Sequence, residues 1–347
     1  MKKILFIGLL FPALFFLLTG CKAAEASPVP TEVSTIVEET QAAPESQEIQ
    51  DPIQALTVWS AYWDCQGNAE TILKNKDSIQ TVSLFAAYFQ EDTLFIPEST
   101  LDTLQALRTG GWDRAIYLSV VNDVIAGGTS IQKDTAILHT VLSEPHAEAH
   151  ARELVTLAKS NGFDGIEIDY EKIRKDMELW DRFLHFEEAL ITIAREENLG
   201  VRIILEPSTP VEQLTFPQGA EYVVMCYNLY GGGTDPGPKT NLSHLASLYD
   251  RFRVLPNISF ALANGGFDWA ESSTSPSALT ASEAAALAQK SGAAPQREES
   301  SGAISFQYAK DGVLHTVWYA DSETLSIWAK KLAACAGSAV PISLWRL

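Results

Sequence analysis

Nine residues, Phe163-Asp164-Gly165-Ile166-Glu167-Ile168-Asp169-Tyr170-Glu171, set three carboxylates at every second position. From Ile166 onward apolar and acidic residues alternate, which is the period of a β-strand. Glu167, Asp169 and Glu171 then share one face, and Ile166, Ile168 and Tyr170 the other. Taken alone, the pattern suits a half-buried antiparallel strand with a wet acidic face. The context argues otherwise. Helix-like stretches flank it at 143–160 and 176–197, and a strand between helices belongs to a parallel sheet covered on both faces. Carboxylates on a covered face are costly unless chemistry uses them. Stacked in one pocket, they cannot all ionise freely, so their pKa values are pushed apart. The outermost can keep its proton and act as a general acid.

The elements that must position these acids recur along the chain. Eight short apolar runs stand at 55–63, 81–87, 114–120, 165–171, 201–205, 221–227, 254–261 and 339–345. Amphipathic helical stretches separate most of them. The clearest are 143–160 (Ser143 as N-cap, Asn161-Gly162 as stop), 176–197 (Asp176 as N-cap), Leu242–Phe252 and 322–335. Eight such units in an α/β chain predict a (β/α)8 TIM barrel. A doubly wound open sheet is the alternative, but Ala61-Tyr62-Trp63-Asp64 follows the first run where a GxGxxG turn would stand. In a barrel, catalytic groups sit at the C-terminal ends of strands. Glu171 would lie at the mouth, Asp169 one layer deeper and Glu167 deeper again. Between the seventh and eighth runs, a helical stretch (280–290) and two strand-like runs (303–308, 313–319) joined at Lys310-Asp311-Gly312 predict a small α+β insertion over about 270–320.

The 347 residues carry a net charge of −19, which disfavours nucleic acid and anionic lipid as partners. Lys2 and Lys3 precede an apolar run over 4–18 that is short for a membrane span and interrupted by Pro12. Residues 1–20 read as a signal peptide. Leu18-Thr19-Gly20-Cys21 resembles a bacterial lipobox, which implies cleavage before Cys21 and a lipid on its sulfur; a plain secretory signal is the alternative. Residues 22–51 hold seven acids against one base, Lys22. That composition predicts a disordered tether with a reach of roughly 30 Å. The expected location is extracytoplasmic, with the domain 52–347 held at the membrane through its lipid only and expected to be monomeric. Cys65, Cys226 and Cys335 form no disulfide framework. Cys226, inside an apolar run, reads as a buried thiol, and no zinc spacing or other cofactor motif is present.

The residues then reach a known family. Asp164-Gly-Ile-Glu167-Ile-Asp169-Tyr-Glu171 resembles the Asp-x-x-Asp-x-Asp-x-Glu signature of glycoside hydrolase family 18, the chitinase family. Met225-Cys226-Tyr227-Asn228 resembles its sixth-strand Met-x-Tyr-Asp motif, and Pro236-Gly237-Pro238 the loop after it. The stretch from Phe260 to Trp269 resembles the seventh-strand end. Val317-Trp318-Tyr319-Ala320-Asp321-Ser322 and Ile342-Ser343-Leu344-Trp345 resemble the close of the barrel. The likeness covers about 55–347 and is nearest the bacterial spore-germination-like branch. It implies that Glu171 protonates the glycosidic oxygen while the substrate's own 2-acetamido oxygen attacks the anomeric carbon, an exception to the two-carboxylate scheme. It implies that Asp169 holds the acetamido N–H, that Tyr227 binds the acetamido oxygen and that Trp345 forms the floor under the ring. Glu167, Asn228 and Tyr62 complete the expected substrate-binding set.

Three positions depart from the family. Glu167 stands where Asp is usual, one methylene longer. Asn228 replaces the Asp beside Tyr227 and removes a negative charge. The third run reads Ser119-Val120-Val121-Asn122, without Ser-x-Gly-Gly. His146 and His150 are spaced as metal ligands but, lacking a third, read as a solvated helix face. Gly231-Gly232-Gly233 reads as a loop near the site mouth. The implied activity is retaining hydrolysis of β-linked N-acetylglucosamine glycans: chitin, peptidoglycan or N-glycan core. A glycan-binding lipoprotein without turnover, and an envelope protein that binds no sugar, are the competing readings.

Overall fold

The strand-period segments form the staves of a closed barrel in the computed structural model, which describes residues 51–346 apart from 66, 272 and 274. The expected signal peptide, Cys21 and most of the tether lie outside the described residues. In chain order the eight barrel strands are Ile53–Ala61, Thr81–Gln90, Ala115–Ala126, Gly165–Asp169, Gly200–Leu205, Glu221–Met225, Ile258–Ala263 and Val340–Trp345. Each pairs in parallel with its neighbours in sequence, and the eighth pairs with the first, so no edge is left. This is the expected (β/α)8 barrel.

Strand alternation sorts the side chains into two compartments. Ile166 and Ile168 point outward into the main core between strands and helices. Glu167 and Asp169 point into the barrel. The upper interior is a separate apolar cluster that includes Trp59, Ile204, Val223, Met225 and Tyr227, with Phe85 and Trp345 against it. Gly165 and Gly200 stand side by side low in the barrel because Tyr117 fills the space their side chains would take: a Cβ would come 2.4 Å and 2.0 Å from its ring and hydroxyl.

Asp176 caps the helix Met177–Glu196 by accepting from Leu179 N, and Gly162 ends His146–Asn161 in the left-handed conformation. Ser143 does not cap that helix. A cis Glu144-Pro145 bond precedes it, the first helical residue is His146, and Ser143 Oγ bonds to Thr140 O instead. His150 is also not on a wet face: it is buried, and its Nε2 lies 2.7 Å from Tyr170 OH among Phe89 and Phe186. Tyr170, the outward residue between the two site acids, is thereby anchored to the helix shell. Cys226 is a buried free thiol.

The insertion begins at once after the seventh strand. Gly265–Ala270, Ser277–Leu279, Gln296–Arg297, Ile304–Lys310 and Val313–Ala320 form an antiparallel sheet, with the helix Ala281–Ser291 on it. Asp311 and Gly312 make its hairpin turn, both with positive φ. Its first strand starts five residues before the expected boundary at 270, because Phe267-Asp268-Trp269 pairs with Val313–Ala320 rather than forming a loop. Among the described residues no helix is long and apolar enough to cross a membrane.

One buried acid sets a stability prediction. Tyr222 OH lies 3.0 Å from Glu187 Oε2 and 2.8 Å from Pro217 O, and has one proton to give. The phenol donates toward the Glu187 carboxyl and toward the Pro217 carbonyl, so its single proton is shared between two acceptors. Burial pushes the Glu187 carboxyl up to about 8, against the opposing Tyr222 hydrogen bond. Between its unfolded value of 4.5 and about 8 the native state holds a proton that the unfolded chain has lost. The contribution of Glu187 to stability therefore falls as pH rises through that window and is level outside it. At about 1.4 kcal/mol per unit the loss reaches roughly 4–5 kcal/mol. Glu187→Gln, compared with wild type by urea unfolding at pH 5 and pH 8, should lose much less. Parallel losses in the two proteins would sink the assignment.

Candidate active site

The site is built on a charged floor. Glu167 is wholly buried, and its Oε1 accepts from Trp59 Nε1 (2.5 Å), Ser83 Oγ (2.7 Å) and Ser119 Oγ. Its Oε2 lies 3.2 Å from Nε of Arg202, which is 1% exposed. That approach is an ion pair by distance although off the line of a hydrogen bond. Arg202 also donates to Ser343 Oγ at 2.7 Å and lies over the rings of Trp59 and Tyr117. First, second, third, fifth and eighth strands are thus tied to the fourth. Glu167 was expected to bind substrate; instead it is consumed by this network and does not line the pocket. Its extra methylene carries the carboxylate to Trp59, Ser83 and Arg202, and no hydrogen bond joins it to Asp169.

Asp169 ends the fourth strand above this floor, and Glu171 follows two residues on, beyond the strand's last ladder bond. Asn122 holds the acid's backbone from both sides, accepting from Glu171 N (2.9 Å) and donating to Glu171 O (3.1 Å). This is the role of the third strand's Ser-Val-Val-Asn. Both carboxylates line a pocket of about 190 Å³ with Val121, Lys133, Met225, Tyr227, Asn228 and Trp345 around them. Asp169 Oδ1 is buried without a hydrogen-bond partner. Burial raises the Asp169 pKa well above its usual range; the Glu171 charge adds to this and Lys133 opposes it. Burial also raises Glu171, with Lys133 pulling against it and Glu206 and Asp123 pushing the same way.

Lys133 arrives from outside the barrel staves. The third strand continues past the mouth into a hairpin with Thr129–Ile131, and Lys133 follows with φ 56° and its N–H on Asp123 Oδ1 (2.8 Å). Its ammonium forms an ion pair with Glu171 Oε2. Burial works against the ammonium, but Glu171 outweighs that and the Lys133 pKa is raised.

Tyr227 and Asn228 follow the sixth strand. Burial and the charges of Asp169 and Glu171 keep the Tyr227 phenol protonated, so it is a hydrogen-bond donor into the pocket. Asn228 adopts φ 66°, a conformation that asparagine tolerates better than most residues, and faces the opening. Trp345 ends the eighth strand and packs edge-on against Phe85 (4.9 Å between centroids) and Trp59 (6.0 Å). Tyr62 was expected in the site but does not line the pocket; its ring packs edge-on against Trp63 (4.9 Å between centroids) and, farther off, against Tyr88 (5.9 Å). The first strand stops at Ala61 and a 3-10 turn over Tyr62–Asp64 presents the next residue, Trp63, to the pocket with 53% of its surface exposed.

Sequence reasoning missed Arg202, Lys133 and Trp63, and gave Asn122 no role. Arg202 left a signal: a lone cation within Val201-Arg202-Ile203-Ile204 on a covered strand needs a buried anion. Trp63 stood one residue from the chosen aromatic. Lys133 left none, because its neighbour in the site is 38 residues away.

No family model and no curated protein matches the chain. Solved structures do. The chitinase from Chromobacterium violaceum is 21% identical with a TM-score of 0.70, over 84% of this chain and 94% of that one. The spore cortex-lytic enzyme SleL of Bacillus cereus is 18% identical with a TM-score of 0.69, over 84% and 70%. A GH18 chitinase from Cycas revoluta, in complex with (GlcNAc)3, is 15% identical with a TM-score of 0.65, over 84% and 94%. The chain is similar to these proteins in its barrel fold.

Proposed function

We propose that the protein is a glycoside hydrolase of the family 18 type, cleaving β-linked N-acetylglucosamine glycans with retention through substrate assistance. One observation carries the reading. Asp169, which is buried, and Glu171, which is largely so, meet the phenol of Tyr227 and the indole of Trp345 in one open pocket at the C-terminal end of the barrel. Glu171, raised by burial, is the acid that protonates the leaving oxygen. The acetamido oxygen attacks the anomeric carbon, and Tyr227 donates to that oxygen. Asp169 Oδ1, a buried acceptor without a partner, takes the acetamido N–H and stabilises the oxazolinium ion. Trp345 supplies an apolar floor for the ring's C–H face. Water then attacks the anomeric carbon and breaks its bond to the acetamido oxygen, giving one proton to the Glu171 carboxylate and so restoring the acid. The likeness in fold to chitinases and to SleL supports the reading. Retention is tested by NMR of the first-formed anomer: β product from a β-linked substrate supports it, and α product overturns it.

The Lys133–Glu171 ion pair favours a second reading, a glycan-binding protein without turnover, because the pair stabilises an ionised Glu171 that has no proton to give. The two readings part on Lys133→Met. Removing the cation leaves burial unopposed, so Glu171 keeps its proton to higher pH. The alkaline limb of kcat/KM should move to higher pH. An unmoved limb would show that the pair has no hold on the acid, and no turnover in either protein on any acetamido glycan would favour the binder.

Cys21 is proposed as the lipidation site that anchors the mature protein to the outer face of a cytoplasmic membrane. Its support is the Leu-Thr-Gly-Cys sequence behind a short apolar run. Mass spectrometry of the N-terminal peptide with and without Cys21→Ser tests it.

A further inference from the structure

The catalytic pocket opens into a second hollow of about 630 Å³ between barrel and insertion; Trp63, Asn228 and Trp345 line both. Two cations line this second hollow, Lys239 and Arg346, in a chain of net charge −19. The one acid among its lining residues, Glu283, is already engaged. Glu283 accepts from Thr280 N (2.8 Å) and Thr280 Oγ1 (2.9 Å), closing the capping box of the insertion helix. Arg346 is paired with Asp64. Lys239 is different. Its ammonium lies 4.6 Å from the centre of the Phe267 ring, and among the described residues no carboxylate comes within ion-pair distance of it. Burial, with the Arg346 charge adding, lowers its pKa to about 8, so a partner anion would restore what desolvation takes. A cation set in a groove wall on an aromatic face, beside a second cation and without an acid of its own, suits a ligand that brings the anion.

We propose that this hollow is a subsite for a sugar bearing a carboxylate, with the anion meeting Lys239. The inference rests on the glycosidase reading of the adjoining pocket and narrows its substrate to an acetamido glycan in which a neighbouring ring is acidic. The neutral acetamido sugar would occupy the pocket over Trp345, and the acidic ring would lie toward Phe267. A carboxylate of this kind comes either from a lactyl ether, as on N-acetylmuramic acid, or from a uronic acid.

Calorimetric titration separates the possibilities, using Glu171→Gln to prevent turnover. The probes are a neutral chitooligosaccharide, an N-acetylglucosamine–N-acetylmuramic acid oligomer and a hyaluronan oligosaccharide, all of equal length. At least one acidic oligomer should bind about tenfold more tightly than the neutral one at low salt, and the margin should shrink as salt rises. Which of the two does so identifies the source of the carboxylate. Adding Lys239→Gln should remove the margin, and adding Lys239→Arg should retain it, which separates loss of charge from loss of fold. Equal binding of neutral and acidic oligomers, or a margin that survives Lys239→Gln, overturns the subsite and leaves the glycosidase reading standing. Binding of none of the three overturns both.

Discussion

Glu171→Gln is expected to lower kcat on a cleavable acetamido glycan by about 10²–10⁴-fold, the usual share of a positioned general acid. KM should change little, because glutamine keeps the shape and the backbone clamp from Asn122 does not involve the side chain. Tm should hold as well. The lost ion pair joins a side chain 38% exposed to one 13% exposed, and pairs open to solvent are worth ~0–1 kcal/mol. Product analysis on chitin, peptidoglycan and N-glycan-core fragments, wild type beside variant, reads the result. A variant that stays fully active on every glycan the wild type cleaves removes Glu171 from the mechanism.

The second large effect is on stability. Arg202→Met should destabilise the barrel by ~3–5 kcal/mol, because it strands the Glu167 carboxylate in a dry interior with no cation. The three donors on Oε1 remain, but Oε2 keeps no partner. Glu167→Gln combined with Arg202→Met removes both charges and should recover most of the loss, as replacement of a buried pair often does. Chemical denaturation of the single and double variants measures the coupling. A single-variant loss below ~1 kcal/mol would mean the pair contributes no more than an exposed one. The same experiment bears on the site, since the fourth strand that holds Glu167 also ends in Asp169.

The acids of the fourth strand were legible because their spacing matches a strand and their neighbours are helical. The barrel was legible from eight apolar runs, and the hairpin at Asp311-Gly312 from turn chemistry. Asp176 and Gly162 act at their helix ends as their residue types suggest. Ser143 failed as a cap because the helix starts only at His146 and the Ser143 hydroxyl is spent on the Thr140 carbonyl. His150 failed as a surface residue because the helix face carrying it packs on the barrel, where Tyr170 supplies its hydrogen bond.

The amino-acid sequence by itself determined the alternation that sends Ile166 and Ile168 outward and Glu167 and Asp169 inward, since a strand has only two faces. It also placed Glu171 at the mouth, because a barrel has one catalytic end. Only the tertiary structure decided what each acid meets there. Glu167 meets Arg202, Trp59, Ser83 and Ser119 from four other strands and becomes structure. Asp169 is left with a buried oxygen unpartnered, and Glu171 meets Lys133 from a hairpin beyond the barrel. Such partners are remote in sequence and are brought together by closure of the ring, so no local pattern records them.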